Sequence, residues 1–152
     1  MHWRIKNSFL HYVNAVGGTI ETAGPAHFDG DEFGFPADPD SADDRAGVSL
    51  SYHGSARVRA HGGLIDLGLA DPVLLAGAGD VAEVSFVARV GGSGGFGRVA
   101  VARLDRRIGE LAGAIVAGES VPAVLLGAAT WLFDHRYPPG TELAPMRWSA
   151  GM

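Results

Sequence analysis

Residues 48–61 have the sequence VSLSYHGSARVRAH, in which apolar and polar side chains alternate. Successive side chains of a β-strand point to opposite faces, so this alternation predicts a long strand with one buried face and one polar face. Gly54 interrupts the pattern and predicts a bend or bulge there. The side chains expected on the buried face are those of Val48, Leu50, Tyr52, Ala56, Val58 and Ala60.

The alternation continues after this stretch, on the far side of several glycine-containing turns. His61-Gly62-Gly63 is predicted to be a hairpin turn into a strand over residues 64–69. A further strand is predicted over 81–90, connected by the glycine-rich residues 91–97 to a strand over 98–104. Short turns between consecutive strands favour antiparallel pairing. Residues 121–125 are predicted to be an edge strand because they contain Pro122, and the last strand spans roughly 143–148.

The remaining segments predict little regular structure beyond two short helices. The first is N-terminal and ends at Gly17-Gly18, and the second covers residues 126–135. Residues 25–46 are predicted to be a loop, whereas residues 111–126 fit either a helix or a strand. The apolar stripe of the first helix consists of Ile5, Phe9, Tyr12, Val13 and Val16.

These patterns predict a single domain over residues 1–152 with a mainly β fold. The expected architecture is an antiparallel β-sandwich or curved sheet with two short α-helices. At this length the chain can bury a substantial core.

Composition excludes several classes of function. The chain has no cysteine, which rules out disulfide scaffolds, zinc ribbons, iron–sulfur clusters and thiol nucleophiles. Its net charge of −5 provides no general basic surface, so nucleic acid is not an expected partner. The apolar runs are far shorter than the roughly 20 residues of a membrane span. No secretory signal is recognisable at the N-terminus, so a cytoplasmic location is the default expectation, and a mature domain with an added starting Met is the alternative.

Four segments, taken together and in this order, carry a family resemblance. They are WRIKNSFLHYV at 3–13, VRAHGGLIDL at 58–67, LADP at 69–72 and FDHRYPPGTELAP at 133–145. In sequence and spacing they resemble the HtaA-type, haem-transport-associated domain of bacterial haem uptake. The resemblance covers essentially the whole chain.

The resemblance implies that ferric haem b is held through the phenolate of Tyr12, which would be the iron ligand. His61 would form a hydrogen bond to that phenol oxygen, and Tyr137 matches a further family position near the site. We also place Ser8 and Phe9 in the expected haem pocket, with Phe9 facing the macrocycle.

The positive charge of two arginines makes them further candidates for contact with haem. Arg57 and Arg59 share the polar strand face with His61 and could pair with haem propionates. The alternative is that both arginines lie on an ordinary solvated sheet face.

The chemistry of the ligand agrees with the resemblance. A phenol, with an ordinary pKa near 10, binds Fe³⁺ as phenolate, and a neighbouring histidine favours that charge through a hydrogen bond. An anionic oxygen ligand stabilises ferric iron, which suits haem uptake, carriage or transfer without catalysis. Other haem-binding proteins would then be donors or acceptors.

Three alternatives remain open from the sequence. Tyr12 could be a core residue whose hydroxyl reaches a backbone carbonyl. The protein could be a haem-dependent enzyme, since catalases also use tyrosinate. It could also be an interaction module that has the fold but binds no haem.

Overall fold

The computed structural model describes residues 1–38, 50–91 and 97–148. Within these ranges most strands belong to one curled, antiparallel sheet of eight strands with the shape of a half-barrel. The predicted mainly β, curved-sheet fold is therefore confirmed. The strands are β1 (His2–Trp3), β2 (Thr19–Ala23), β3 (His27–Phe28), β4 (Phe33–Gly34), β5 (Leu50–Ser51), β6 (Ser55–Ala60), β7 (Ile65–Ala76), β8 (Val81–Val90), β9 (Gly97–Arg107), β10 (Val121–Leu125) and β11 (Glu142–Met146).

The large sheet has the strand order β11-β10-β9-β8-β7-β6-β2, and β5 also pairs with β7. The alternation of the opening stretch is confirmed, because Tyr52, Ala56, Val58 and Ala60 are all buried. The predicted single strand is instead divided into β5 and β6 at Gly54, whose φ is +111°. A side chain at this position would clash with Ala26, so the bend needs glycine. Val48 lies outside the described residues.

The predicted hairpins occur where glycines allow the chain to reverse. Residues His61–Gly63 form one 3₁₀ turn between β6 and β7. β8 matches the predicted strand at both ends, and its alternate side chains from Ala82 to Ala88 are buried. β9 pairs with it from Gly97 onward and continues three residues beyond the predicted end. Residues 92–96 of the predicted connection are outside the described ranges.

β10 occupies the predicted residues, but the prediction that it is an edge strand is wrong. It pairs with both β9 and β11. Pro122 is accommodated because the register with β11 shifts between Val121 and Ala123, so the missing N–H falls at an irregularity of the ladder. The outer position belongs to β11, which contains Pro145 and starts one residue before the predicted last strand.

The helices differ from prediction in type and number. Helix α1 (Asn7–Ala15) lies where the first helix is expected, but Ile5 precedes it with a non-helical φ of +67°. The second predicted helix is a 3₁₀ helix over Gly127–Phe133. An additional helix, α2 (Ile108–Ala117), overlaps the run that fitted either a helix or a strand. With 10 residues, α2 is the longest helix in the described ranges, and no helix there can cross a membrane.

The predicted loop over residues 25–46 contains regular structure. Its strands β3 and β4 join β1 in a small sheet with the order β1-β4-β3. Strands of two residues are too short to produce a periodic pattern, which is why the sequence does not predict them. Residues 39–46 of the predicted loop lie outside the described ranges.

The core lies between the large sheet and the N-terminal segment. Phe86 of β8 stacks on Trp3 with ring centroids 5.6 Å apart, and it contacts Phe35 edge-on. Helix α1 adds Phe9 and Val13, and Phe9 packs against Phe133 of the 3₁₀ helix at 5.4 Å. This contact fixes α1 beside the chain segment that contains Tyr137.

Candidate functional site

Tyr12 lies in the second half of α1, at the edge of the apolar stripe rather than within it. Phe9 and Val13 on the same helix are buried, whereas Tyr12 is 40% exposed. The predicted apolar stripe therefore ends in a residue that is only partly buried. Its hydroxyl forms a hydrogen bond with Nε2 of His61.

His61 is the first residue of the hairpin turn between β6 and β7. Its φ is +52°, and Gly62 and Gly63 follow with φ of +62° and +98°. Three successive left-handed residues turn the chain sharply, and histidine is among the residue types that tolerate this conformation. The turn brings the imidazole to Tyr12, 49 residues away in sequence, with ring centroids 5.5 Å apart.

Tyr137 is half-buried and belongs to the same region. Its ring packs against Phe133 at 5.4 Å, and Phe133 in turn contacts Phe9. The Nζ atom of Lys6 lies 5.4 Å from the centre of the Tyr137 ring. These contacts form a continuous aromatic row from α1 to the segment that follows the 3₁₀ helix.

A cleft of about 80 Å³ opens between these elements. Its volume is well below the roughly 300–1,000 Å³ of sites that enclose a small molecule, so a large planar ligand would lie against it and remain partly outside. The lining consists of Phe9, Tyr12, Leu64, Ile65, Asp66, Val90, Leu132, Phe133, Asp134, Arg136 and Tyr137.

Leu64 is a cleft residue that the sequence analysis did not single out. It is 88% exposed, at the tip of the hairpin beside His61. A large apolar side chain that is exposed beside a cleft is typical of a ligand-binding surface. A leucine directly after two turn glycines is the sequence signal that could have drawn attention to it.

The structure places Ser8 and Arg59 away from the cleft lining. Ser8 is exposed on α1 one turn before Tyr12, and it lines a shallow surface together with His11 and Tyr12 itself. Arg59 donates a hydrogen bond of 2.7 Å to Oε1 of Glu21 on β2. The expected partner of this arginine, a haem propionate, would have to compete with that carboxylate.

Arg57 is also engaged within the protein. It donates two hydrogen bonds of 2.8 Å to Asp66, whose buried carboxylate borders the cleft. The hydrogen bonds from Arg57 hold the pKa of Asp66 below its ordinary value, against the opposing effect of burial. The carboxylate therefore stays ionised beside the cleft.

The site offers few ligands for a bare metal ion. In the part of the chain that the structure describes, no three His, Asp or Glu side chains are grouped to hold a metal. The exposed phenol oxygen of Tyr12 is accessible as a single oxygen ligand, with His61 beside it.

Comparison with known proteins identifies relatives of the whole chain. The family model named HtaA, described as Htaa, matches residues 1–149. The C-terminal domain of HtaA from Corynebacterium glutamicum is 22% identical, with a TM-score of 0.69 over 96% of this chain and 91% of that chain. The heme-binding protein HtaB from the same organism is 18% identical, with a TM-score of 0.68 over 96% of this chain and 88% of that chain.

The N-terminal domain of HtaA from Corynebacterium glutamicum is also similar, at 20% identity and a TM-score of 0.64 over 98% of this chain and 96% of that chain. A search among curated proteins gave no match. At these identities the solved structures establish the fold, and the family model establishes the relationship. The chain belongs to the HtaA family.

Proposed function

We propose that this chain binds haem as a cargo for uptake, carriage or transfer, and that Tyr12 ligates its ferric iron as a phenolate. The observation that carries the proposal is the hydrogen bond between the exposed hydroxyl of Tyr12 and His61, at the mouth of an aromatic cleft. The heme-binding protein HtaB, which has the same fold, supports it.

The donor set fits haem better than a free cation. Haem iron already has in-plane nitrogen ligands from its porphyrin, so one side chain of the protein completes an axial position. Tyr12 provides one such oxygen, while the described residues provide no cluster for a bare ion. The chain has no cysteine for a thioether linkage, so the bound form would be non-covalent haem b.

His61 has a supporting role in this proposal. Its Nε2 faces the phenol oxygen, where a hydrogen bond fixes the ring of Tyr12 and stabilises negative charge on the oxygen. The hairpin turn holds the imidazole in place, so the phenolate would not need to reorganise when it meets iron.

Apolar side chains around Tyr12 provide the surface for the macrocycle. Phe9, Phe133 and Tyr137 line the cleft as a row of contacting rings, and the exposed Leu64 of the hairpin turn lines it as well. Because this surface is open, we propose that the cargo passes to and from other haem-binding proteins, and we assign no catalytic step to the site.

Titration of the apo-protein with hemin tests the proposal. We expect a ferric Soret band that saturates at one haem per chain in the wild type. Tyr12→Phe should lose or shift that band, whereas Tyr52→Phe, which changes a buried tyrosine outside the cleft lining, should retain it. An unchanged spectrum in Tyr12→Phe would reject the ligand assignment, and a wild type that stays colourless after desalting would reject haem binding.

A further inference from the structure

We propose that Arg136 binds the carboxylates of the tetrapyrrole cargo and so sets the direction in which the cargo lies in the cleft. This inference rests on the proposed function and adds a recognition residue to it. Arg136 lines the cleft together with Tyr12 and Tyr137. Nothing in its sequence pattern distinguishes it from the other arginines.

Three other cations near the cleft already have partners. Arg57 is bound to Asp66 and Arg59 to Glu21. Lys6 donates a hydrogen bond of 3.1 Å to the carbonyl oxygen of Glu142 and lies over the Tyr137 ring. A carboxylate that bound any of these three would have to share the cation with its existing partner.

Arg136 differs from them in its surroundings. It is exposed, and in the described ranges no acidic group lies within ion-pair distance of its guanidinium. The acidic side chains that also line the cleft are Asp66, which is held by Arg57, and Asp134. Arg136 is thus the cleft cation that is available to an incoming anion.

The backbone at Arg136 is held in place by the turn that precedes it. Asp134 and His135 both have a φ of +55°, which reverses the chain after the 3₁₀ helix. The N–H of His135 donates to the carbonyl oxygen of Thr130, and the N–H of Arg136 donates to that of Phe133, both at 3.1 Å. The ring of His135 also contacts the hydroxyl of Thr130 at 3.1 Å. Arg136 therefore extends from a rigid turn beside the aromatic row.

An arginine at this position suits a ligand that carries carboxylates. A guanidinium presents a planar fork that binds a carboxylate through two parallel hydrogen bonds. The whole chain carries a net charge of −5, which disfavours an anionic ligand unless a local cation compensates. Contact at Arg136 would direct the carboxylate edge of the macrocycle toward residues 134–137.

The test compares hemin with hemin dimethyl ester, in which both carboxylates are masked. Affinities are measured by Soret titration and by quenching of tryptophan fluorescence for the wild type, Arg136→Gln, Arg136→Lys and Arg107→Gln. Arg107 is the matched control, because it is also exposed and its substitution removes the same charge, but it lies outside the cleft lining. Thermal melts of the apo-proteins verify that each variant is folded.

We expect Arg136→Gln to weaken hemin binding about tenfold, which corresponds to about 1.4 kcal/mol. Arg136→Lys should recover part of the loss, and Arg107→Gln should bind like the wild type. The dimethyl ester should bind equally to the wild type and Arg136→Gln.

Two results would overturn the inference while leaving the proposed function intact. In one, Arg136→Gln binds hemin as tightly as Arg107→Gln does. In the other, it loses the same factor for hemin and for the ester. A wild type that binds neither ligand would instead refute the proposed function, and this inference with it.

Discussion

The guanidinium of Arg57 donates both of its hydrogen bonds to Asp66 diagonally across the β6–β7 hairpin, since the residue directly opposite Asp66 is Arg59. Arg59 makes a matching diagonal contact on its other side. It binds Glu21 on β2, although Glu21 lies opposite Arg57. Two diagonal ion pairs thus link the polar faces of β2, β6 and β7. Both arginines hold neighbouring strands together.

Replacing Asp66 by Asn should destabilise the fold by about 1 kcal/mol at neutral pH, because it breaks a charge-assisted pair whose arginine remains in contact with water. Because the pKa of Asp66 is lower in the folded protein than in the unfolded chain, its ionised form stabilises the fold above its ordinary pKa of 3.8. That contribution disappears as pH falls through the lower folded value. Urea unfolding at several pH values should show the difference between variant and wild type shrinking in acid.

Glu21→Gln is the control for this measurement. Its carboxylate is largely exposed, so breaking its pair with Arg59 should change stability very little. Equal losses in the two variants would contradict a special contribution from the buried carboxylate.

His61→Asn should weaken hemin binding roughly 10- to 100-fold, the usual cost of losing a hydrogen bond to a metal ligand. Asparagine tolerates the left-handed backbone at this position, so the variant removes the imidazole without straining the turn. The Soret band should persist in shifted form, because Tyr12 still provides the oxygen. If His61→Asn abolished the band while Tyr12→Phe preserved it, the histidine would be the iron ligand.

Leu64→Asn should lower hemin affinity about fivefold and leave the stability of the apo-protein unchanged. The side chain is 88% exposed, so the folded apo-protein gains little from it, whereas a macrocycle in the cleft would cover it. Val116→Asn is a matched control, since Val116 is also 88% exposed but lies on α2, outside the cleft lining. Equal affinities for the two variants would show that the hairpin tip does not contact the ligand.

Tyr52 should remain protonated to unusually high pH. Burial raises its pKa to about 12, so its neutral form stabilises the fold below pH 10 and this contribution is lost between pH 10 and about 12. Ultraviolet titration should show a late ionisation step that is absent in Tyr52→Phe. A late step that survives in the variant would assign it to another tyrosine.

Long half-buried strands could be predicted because their burial repeats with period two. β8 matches its predicted ends for this reason. β2 is a strand whose residues are mostly exposed, so it lacks that pattern. α2 contains Gly109 and Gly113 together with β-branched residues, a composition that weakens any helical signal. Proline within a strand indicates either an edge strand or a bulge. Only the register of β10 with β11 distinguishes these two cases.

In the site, too, the local sequence predicts some features, whereas others depend on which residues face each other in the fold. The family resemblance predicts that Tyr12, His61 and Tyr137 lie near one site, and the structure has Tyr12 and Tyr137 in one cleft lining, with His61 hydrogen-bonded to Tyr12. The placement of Arg59 could not be predicted, because its partner depends on which residues face each other across β2 and β6. Arg136 has no distinguishing signal in the sequence, because its place in the cleft lining depends on how the chain turns after the 3₁₀ helix.

The hydrogen bond between α1 and the β6–β7 turn joins residues 49 positions apart, so it exists only when the chain is folded. An unfolded chain presents the phenol and the imidazole as independent groups with no shared binding site. Under our proposal, hemin therefore binds the native state alone and shifts the folding equilibrium by mass action, by about 2.7 kcal/mol when its free concentration is 100 times the Kd. Occupancy would protect the protein from thermal unfolding and proteolysis, and an emptied carrier would be the form most readily degraded.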